Sequence, residues 1–316
     1  MKVAVCMSGA LRGLLSVLDD IYSKVIEPLN ADVFFCSWDR YFKWPGMINV
    51  GPFSGLRNFG HEICRYLPSE LQSYDAIKKE FPRTFAKLNI PVVEDIPCDE
   101  IRSRLKNIVS MKIYSETDFE NAMRPVFTGY FDNNDRPHIN QLKMFFMIFE
   151  CNKVLTDYTN CNGVKYDLLI KIRPDLHLPS PIRSDMLCKF DLNNDVLVRY
   201  IGLGLDDAIF MASPDNMSKI CSLWNEIQCA KTISPYEYYR WFHSHFLLDA
   251  WCVTQRLRLR HFPMFSNMNL DGLQKTTSEL FPAYHEFLED IEVSSHRSSL
   301  KDLERHLRIK LKLTEP

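Results

Sequence analysis

Tyr166-Asp-Leu-Leu-Ile-Lys-Ile-Arg-Pro-Asp175 is a short apolar run that ends abruptly in a cation, a proline and a carboxylate. A buried parallel strand has this form when it delivers charged groups to the rim of a sheet. Function is expected at that rim, and the neighbouring segments matter for what they bring to it.

The N-terminus supplies the first neighbour. Lys2 to Met7 is a compact strand of β-branched and apolar residues. Ser8-Gly-Ala-Leu-Arg12-Gly13 follows as a small-residue turn, and Leu14, Leu15, Leu18, Ile21, Val25 and Ile26 then recur at helical spacing. Strand, turn and amphipathic helix open an α/β domain, with the helix N-terminus at the carboxyl edge of the first strand, where a phosphate would fit. Ser8-Gly9 falls short of a full glycine fingerprint, so a plain turn with Arg12 facing solvent stands beside that assignment. Ala31-Asp-Val-Phe-Phe-Cys-Ser-Trp38-Asp39 is the second strand and completes a βαβ unit with a parallel pair. Trp38 and Asp39 then share the edge of Ser8 and Arg12. They can stack on a flat ring and bind a hydroxyl, or Trp38 can plug the core.

Residues from about 41 to 137 mix Pro/Gly turns with helix-like runs around Leu71 to Leu88, a short strand at Pro91 to Asp95 and a turn at Asp132-Asn-Asn-Asp135. They are expected to be insertions that elaborate the sheet. His138-Ile-Asn140-Gln141 opens a strongly apolar helix through Leu142, Phe145, Phe146, Ile148, Phe149, Val154 and Leu155, and its first turn aims Asn140 and Gln141 at the ligand edge. Asp195 to Ile201 is another strand. After the flexible Gly202-Leu-Gly204, Leu205-Asp206-Asp207-Ala-Ile-Phe-Met-Ala-Ser213 is a strand with adjacent acids at its start. Alternation allows at most one of Asp206 and Asp207 to face a pocket. A helix begins at Ser213-Pro214.

Tyr236 to Val253 reads as a long helix with Tyr238, Trp241, Phe242, His245, Leu248 and Cys252 on an apolar face. His243 and His245, two apart, do not face each other on a helix, so they are expected to be core or surface histidines. Leu257 to Phe262 suits a last strand and Phe265 to Gly272 an ordered loop. From Ser294 onward, Leu300, Leu303, Leu307 and Leu311 recur among Lys301, Arg305, Arg308, Lys310 and Lys312. Such a basic amphipathic helix can lie on an anionic membrane, dock to a partner or pack on its own domain. The expected organisation is a catalytic domain over 1–285 and this helix over 286–316.

Composition excludes several classes. With 316 residues and 46% hydrophobic content the chain is long enough for a large core and is not a disordered protein. Lys+Arg 38 against Asp+Glu 40 leaves a formal net charge of -2, which offers no basic field for nucleic acid, so local groups must hold any anionic ligand. The 10 cysteines include no CxxC pair and are expected to be reduced packing residues. No apolar run approaches the roughly 18 residues of a membrane span, and the N-terminus lacks a signal-peptide pattern. A soluble, cytoplasmic protein is expected.

One edge thus gathers Arg12, Trp38, Asp39, Arg173, Asp175 and one of Asp206 and Asp207. Carboxylates can hold a divalent cation that bridges diphosphate oxygens, arginine can do part of the same work, and a further acid can take a proton from an acceptor hydroxyl. These islands together, Ser8 to Arg12, Asp32 to Trp38, Asn140-Gln141, Tyr166 to Asp175 and Asp206-Asp207-Ala-Ile-Phe with Ala212-Ser213, resemble GT-A-like glycosyltransferases of surface polysaccharide and glycan synthesis, of the bacterial and large-virus type. The resemblance implies an α/β, Rossmann-like fold with a mixed, mostly parallel sheet flanked by helices and a C-terminal helical tail. It implies a nucleoside diphosphate sugar as donor and a glycan hydroxyl as acceptor. Ser8, Gly9, Arg12, Trp38, Asp39, Gln141 and Arg173 would lie against the donor, and Asp175 would hold a divalent cation, Mn²⁺ or Mg²⁺. Asp207, after its glycine turn, is expected to be the base, with Asp206 and then Glu237 behind it. Arg173-Pro-Asp175 supplies a single carboxylate where Asp-x-Asp would supply two. A metal on Asp175 and a metal-independent site with Arg173 on the diphosphate therefore both remain open. Sulfotransferase-like transfer and non-catalytic glycan binding are the alternatives. The first lacks a lysine or further glycines between Ser8 and Gly13, and the second would keep the fold without the chemistry.

Overall fold

The computed structural model describes residues 1–12, 14–44, 46, 47, 49, 51–133, 135–201, 204–229, 244–267 and 282–312. Gly13, Gly202, Glu237, Tyr238, Trp241, Phe242, His243 and residues 268–272 lie outside the described residues. The chain divides into two compact units, Met1–Arg40 with Ile96–Asn269, and Tyr41–Asp95 with Leu270–Pro316. The boundaries thus differ from a domain over 1–285 with a separate tail: residues 41–95 and the C-terminal segment form a unit together.

The strands are β1 (Val3–Arg12), β2 (Asp32–Trp44), β3 (Val92–Glu94), β4 (Ile108–Tyr114), β5 (Leu168–Ile172), β6 (Asp195–Ile201), β7 (Gly204–Ala212) and β8 (Arg258–His261). They form one sheet in the order β3-β2-β1-β5-β7-β6-β8, with β4 also beside β2. The fold is α/β, with a mixed sheet flanked by helices. β1 with β5, β2 with β4 and β6 with β8 are parallel, while β2 with β3, β5 with β7 and β6 with β7 are antiparallel. The sheet is thus mixed in these pairings. β7 follows β6 through a short connection, which only an antiparallel pair permits.

β5 lies between β1 and β7, and all its residues are buried. Its near-continuous apolar sequence follows from having neighbours on both edges and cover on both faces. The helix Arg136–Asn162 packs against β1. Asp135 caps its start by accepting from the His138 backbone N–H, Pro137 sits in its first turn, and Gly163 ends it at φ 64. Trp38 is 2% exposed, stacks on Phe146 at 5.6 Å between ring centroids, and meets Phe119 at 5.0 Å. It is the aromatic plug of the core.

Two expected segment ends move. β1 continues through Ser8, Gly9, Ala10, Leu11 and Arg12 instead of turning at Ser8. Leu11 is fully buried, which rewards the continued strand, and Ser37 Oγ donates to the Gly9 carbonyl oxygen at 3.0 Å. β2 likewise runs on past Asp39 to Trp44.

In the second unit the helices Tyr284–Val293 and Lys301–Lys310 pack with Phe59, Phe81 and Leu88. Leu300, Leu303 and Leu307 are fully buried there, and each such leucine contributes about 2 kcal/mol of apolar burial. Of the three placements its sequence allows, membrane surface, partner or its own unit, the stripe takes the last. Two of its cations are paired in addition: Arg308 donates to Glu292 at 2.6 Å, and Lys310 lies 2.8 Å from Glu62. Asp290, 1% exposed, accepts from the Thr84 backbone N–H and hydroxyl at 2.8 Å each, which secures the helix Pro82–Leu88. Among the described residues no helix is long and apolar enough to cross a membrane.

Candidate functional site

The ladder of the first unit assembles the charged groups in rows. Met7 pairs with Ile172 across β1 and β5, so Ser8 follows beside Arg173 and Gly9 beside Pro174. Gly9 has φ +138, a backbone conformation that strains any residue with a Cβ, so the position favours glycine, and it lies against Pro174. On the other side Ile172 pairs with Ile209, and the Arg173 N–H donates to the Ala208 carbonyl oxygen at 2.9 Å.

Between β6 and β7 the register breaks. Val198 faces Phe210 and Tyr200 faces Leu205, so Asp206, Asp207, Ala208 and Ile209 all lie opposite the single Arg199. A bulge of this kind re-aims side chains that strict alternation would send to opposite faces. The expectation that at most one of Asp206 and Asp207 faces the site is therefore corrected. Ligand atoms of Asp206, Asp207 and His245 all lie within 4.8 Å of one another.

His245 reaches this group through Gly204. The helix Ser244–Thr254 packs on β7, and a Cβ on Gly204 would meet the His245 carbonyl oxygen at 2.5 Å. Only glycine allows the two backbones to come so close, and its φ of +120 suits glycine too. His245 Nδ1 lies 2.8 Å from the Leu205 carbonyl oxygen, to which it donates when protonated, and 3.6 Å from Asp207 Oδ1. The expected core or surface histidine is thus part of a charged cluster.

Arg173 binds Asp175 in a fork, Nε to Oδ1 at 2.9 Å and a terminal nitrogen to Oδ2 at 2.7 Å. Its other terminal nitrogen lies 3.6 Å from Asp207 Oδ2. Burial disfavours the Asp175 carboxylate, but the charge and hydrogen bonds of Arg173, followed by the charge of Arg12, outweigh it and hold the acid below its ordinary range. Burial works against the Arg173 charge as well, and Asp175 with Asp207 overcomes it and pushes that group up. Asp206 accepts from the Ala208 N–H at 2.9 Å and from Arg199 at 3.3 Å. Lys171 is 1% exposed and donates to the Asp207 backbone carbonyl. Burial lowers its ammonium from 10.5 to about 8, with Asp207 opposing that shift and Arg173 adding to it.

The residues expected at the donor separate. Arg173 and Asp175 lie at the cluster, Ser8 and Gly9 lie beside them in the ladder, and Arg12 acts on Asp175 through its charge. Ser8 Oγ is buried without a hydrogen-bond partner among the described residues. Trp38 belongs to the core, and the exposed Asp39 accepts from the Glu116 N–H at 3.1 Å, at the start of the helix Glu116–Met123. The Gln141 amide oxygen is buried and also lacks a partner among the described residues, and Asn140 is exposed. The cavity beside Met1, Leu187 and Phe190, about 360 Å³, lies near the start of β1, the far end of that strand from Arg12.

Sequence reasoning missed Lys171, Arg199 and His245. Lys171 carried a signal, as a cation in the middle of an otherwise apolar strand. His245 carried none in its spacing, since its partners come from another strand. No protein-family model matches the chain, and no curated protein matches it.

Chemically the group combines oxygen donors, an imidazole and guanidinium donors. It can hold a divalent cation, bind an anionic phosphate ester or accept a proton.

Proposed function

We propose that this chain is a GT-A-like glycosyltransferase, moving a sugar from a nucleoside diphosphate sugar to a hydroxyl of a glycan acceptor. The observation that carries this is the position of Arg173 between Asp175 and Asp207 at the carboxyl end of a central strand. Asp175 fixes the guanidinium in a fork, and its remaining nitrogen points at Asp207. A guanidinium held that way stabilises charge growing on a diphosphate leaving group, and it costs little reorganisation when the bond breaks. Asp207 is the nearby acid that takes the acceptor proton. Arg12 adds positive charge, while Ser8 and Gly9 line the edge of the next strand.

The sulfotransferase-like alternative needs a phosphate-cradling loop at residues 8–13. Residues 8–12 continue β1 instead, which weakens it. The 10 cysteines are free, which suits work in a reducing compartment such as the cytoplasm.

Calorimetric titration of the full chain with a panel of uridine, guanosine, cytidine and thymidine diphosphate sugars, with and without Mn²⁺, tests the proposal. Saturable binding of one nucleotide class is expected, together with slow donor hydrolysis when acceptor is absent. Failure of every donor to bind in both conditions rejects it. Glycan binding without any donor turnover would place the chain among non-catalytic binders.

A further inference from the structure

We propose that Asp206, Asp207 and His245 form a divalent-cation site, separate from the Arg173–Asp175 pair and assembled by the close approach of the helix at Gly204. Asp175, the ligand expected from sequence, has each of its oxygens in a short bond to Arg173 and is absent from this group.

Independent observations support the site. The ligand atoms lie within 4.8 Å of one another, and ligands at about 2.1 Å from a metal stand no more than about 4 Å apart, so small side-chain shifts bring the three onto one cation. Asp207 is 5% exposed, and its Oδ2 is buried without a hydrogen-bond partner among the described residues. A buried carboxylate oxygen normally has donors, and leaving it without them costs about 1–3 kcal/mol. A cation would supply what that oxygen lacks. His245 Nδ1 faces the Leu205 carbonyl, and with the proton on Nδ1 the ring is fixed by that acceptor and Nε2 is the nitrogen that would bind the cation. The competing guanidiniums hold loosely: Arg173 stands 3.6 Å from Asp207 Oδ2, and Arg199 is 3.3 Å from Asp206 Oδ2. Both distances exceed that of a good charge-assisted hydrogen bond, about 2.8 Å, so displacing them loses little.

The donor set decides the metal class. An imidazole with carboxylates suits Mn²⁺, Co²⁺ or Zn²⁺, whereas Mg²⁺ and Ca²⁺ prefer oxygen alone. The site stands on its own geometry. Only its role, beside Arg173 at a donor diphosphate, rests on the transfer proposal. Asp207 as a cation ligand replaces its part as proton acceptor, and the Mn²⁺ affinity of Asp207→Asn decides between the two.

The test uses the full chain and MnCl₂ alone, with bound metal read by calorimetry and by loss of the free Mn²⁺ electron-spin-resonance signal. One Mn²⁺ per chain is expected. His245→Ala and Asp207→Asn should each weaken it at least about tenfold, while Asp175→Asn changes it less. Gly204→Ala should also weaken it, by moving the His245 backbone. Circular dichroism and thermal unfolding confirm that each variant folds, and His245→Gln replaces any that does not. Absence of Mn²⁺ binding to the unaltered chain, or binding that ignores His245→Ala and His245→Gln, overturns the site. Nucleotide-sugar binding is measured separately by saturation-transfer NMR without metal. Donor binding without Mn²⁺ binding sinks the metal site and spares the transfer proposal, whereas Mn²⁺ binding with no donor bound in the calorimetric panel, with or without Mn²⁺, sinks the transfer proposal and spares the metal site.

Discussion

Asp175 and Asp207 are both buried carboxylates beside Arg173, and they are treated in opposite ways. Asp175 receives both arms of a guanidinium fork at 2.9 and 2.7 Å. Asp207 stands 3.6 Å from the same guanidinium, and its Oδ2 finds no hydrogen-bond donor among the described residues. A satisfied buried acid is structural: its loss leaves a cation stranded. An unsatisfied one is tolerated by the fold at a cost, and such a cost is characteristic of a group kept for chemistry. Asp290 in the second unit behaves like Asp175, accepting from the backbone and hydroxyl of Thr84. Asp207 departs from both, and the difference separates an acid that positions from an acid free to react.

The largest expected effect is on Asp175. Asp175→Asn breaks the fork and leaves Arg173 facing an amide, so urea unfolding should show a loss of about 3 kcal/mol, the low end for a broken buried pair because Arg173 keeps 25% of its side chain exposed. Asp207→Asn should change stability by less than about 1 kcal/mol and lower transfer by about 100-fold or more. Equal stability losses would erase the distinction between the two acids.

A slightly smaller effect comes from Lys171, whose amine holds the Asp207 carbonyl. Its proton leaves the folded chain near pH 8 but stays on the unfolded chain up to 10.5. Between those values the unfolded state binds more protons, so stability should rise with pH, by up to about 3 kcal/mol for the full shift. Lys171→Met should flatten that rise in urea midpoints measured from pH 7.5 to 10, and a rise that survives in the variant would assign it to another group. The smallest effect belongs to Asp39, an exposed carboxylate outside the cluster. Asp39→Ala should cost about 0.5 kcal/mol through the start of the helix Glu116–Met123 and shift donor affinity by less than about twofold. A larger loss of affinity would return Asp39 to the site.

Local pattern made much of this molecule legible. The apolar run before Arg173 announced a buried strand with charge at its end, and the ladder places Arg173 beside Ser8 on one side and Ala208 on the other. The apolar helix expected from His138 and the leucine stripe of the C-terminal helix followed from period, while the former starts earlier, at Arg136, behind an Asp135 cap. Misreadings came where a local signal competed with long-range contact. Ser8-Gly9 has the composition of a turn, yet Leu11 gains more by staying in the sheet, so β1 continues to Arg12. Trp38 was equally suited to a ligand or a plug, and Phe119 and Phe146 decide for the plug.

Sequence alone determined that this chain has an α/β core and that Arg173 and Asp175 end one of its central strands, because apolar periodicity is a property of neighbouring residues. Only the tertiary structure decided which acids are satisfied and which residue joins them. The bulge opposite Arg199 sets Asp206 and Asp207 together, and the contact at Gly204 adds His245 from a helix some forty positions away. Neither depends on local propensity: a bulge reflects the register of two strands, and a close approach reflects the packing of a helix on a sheet.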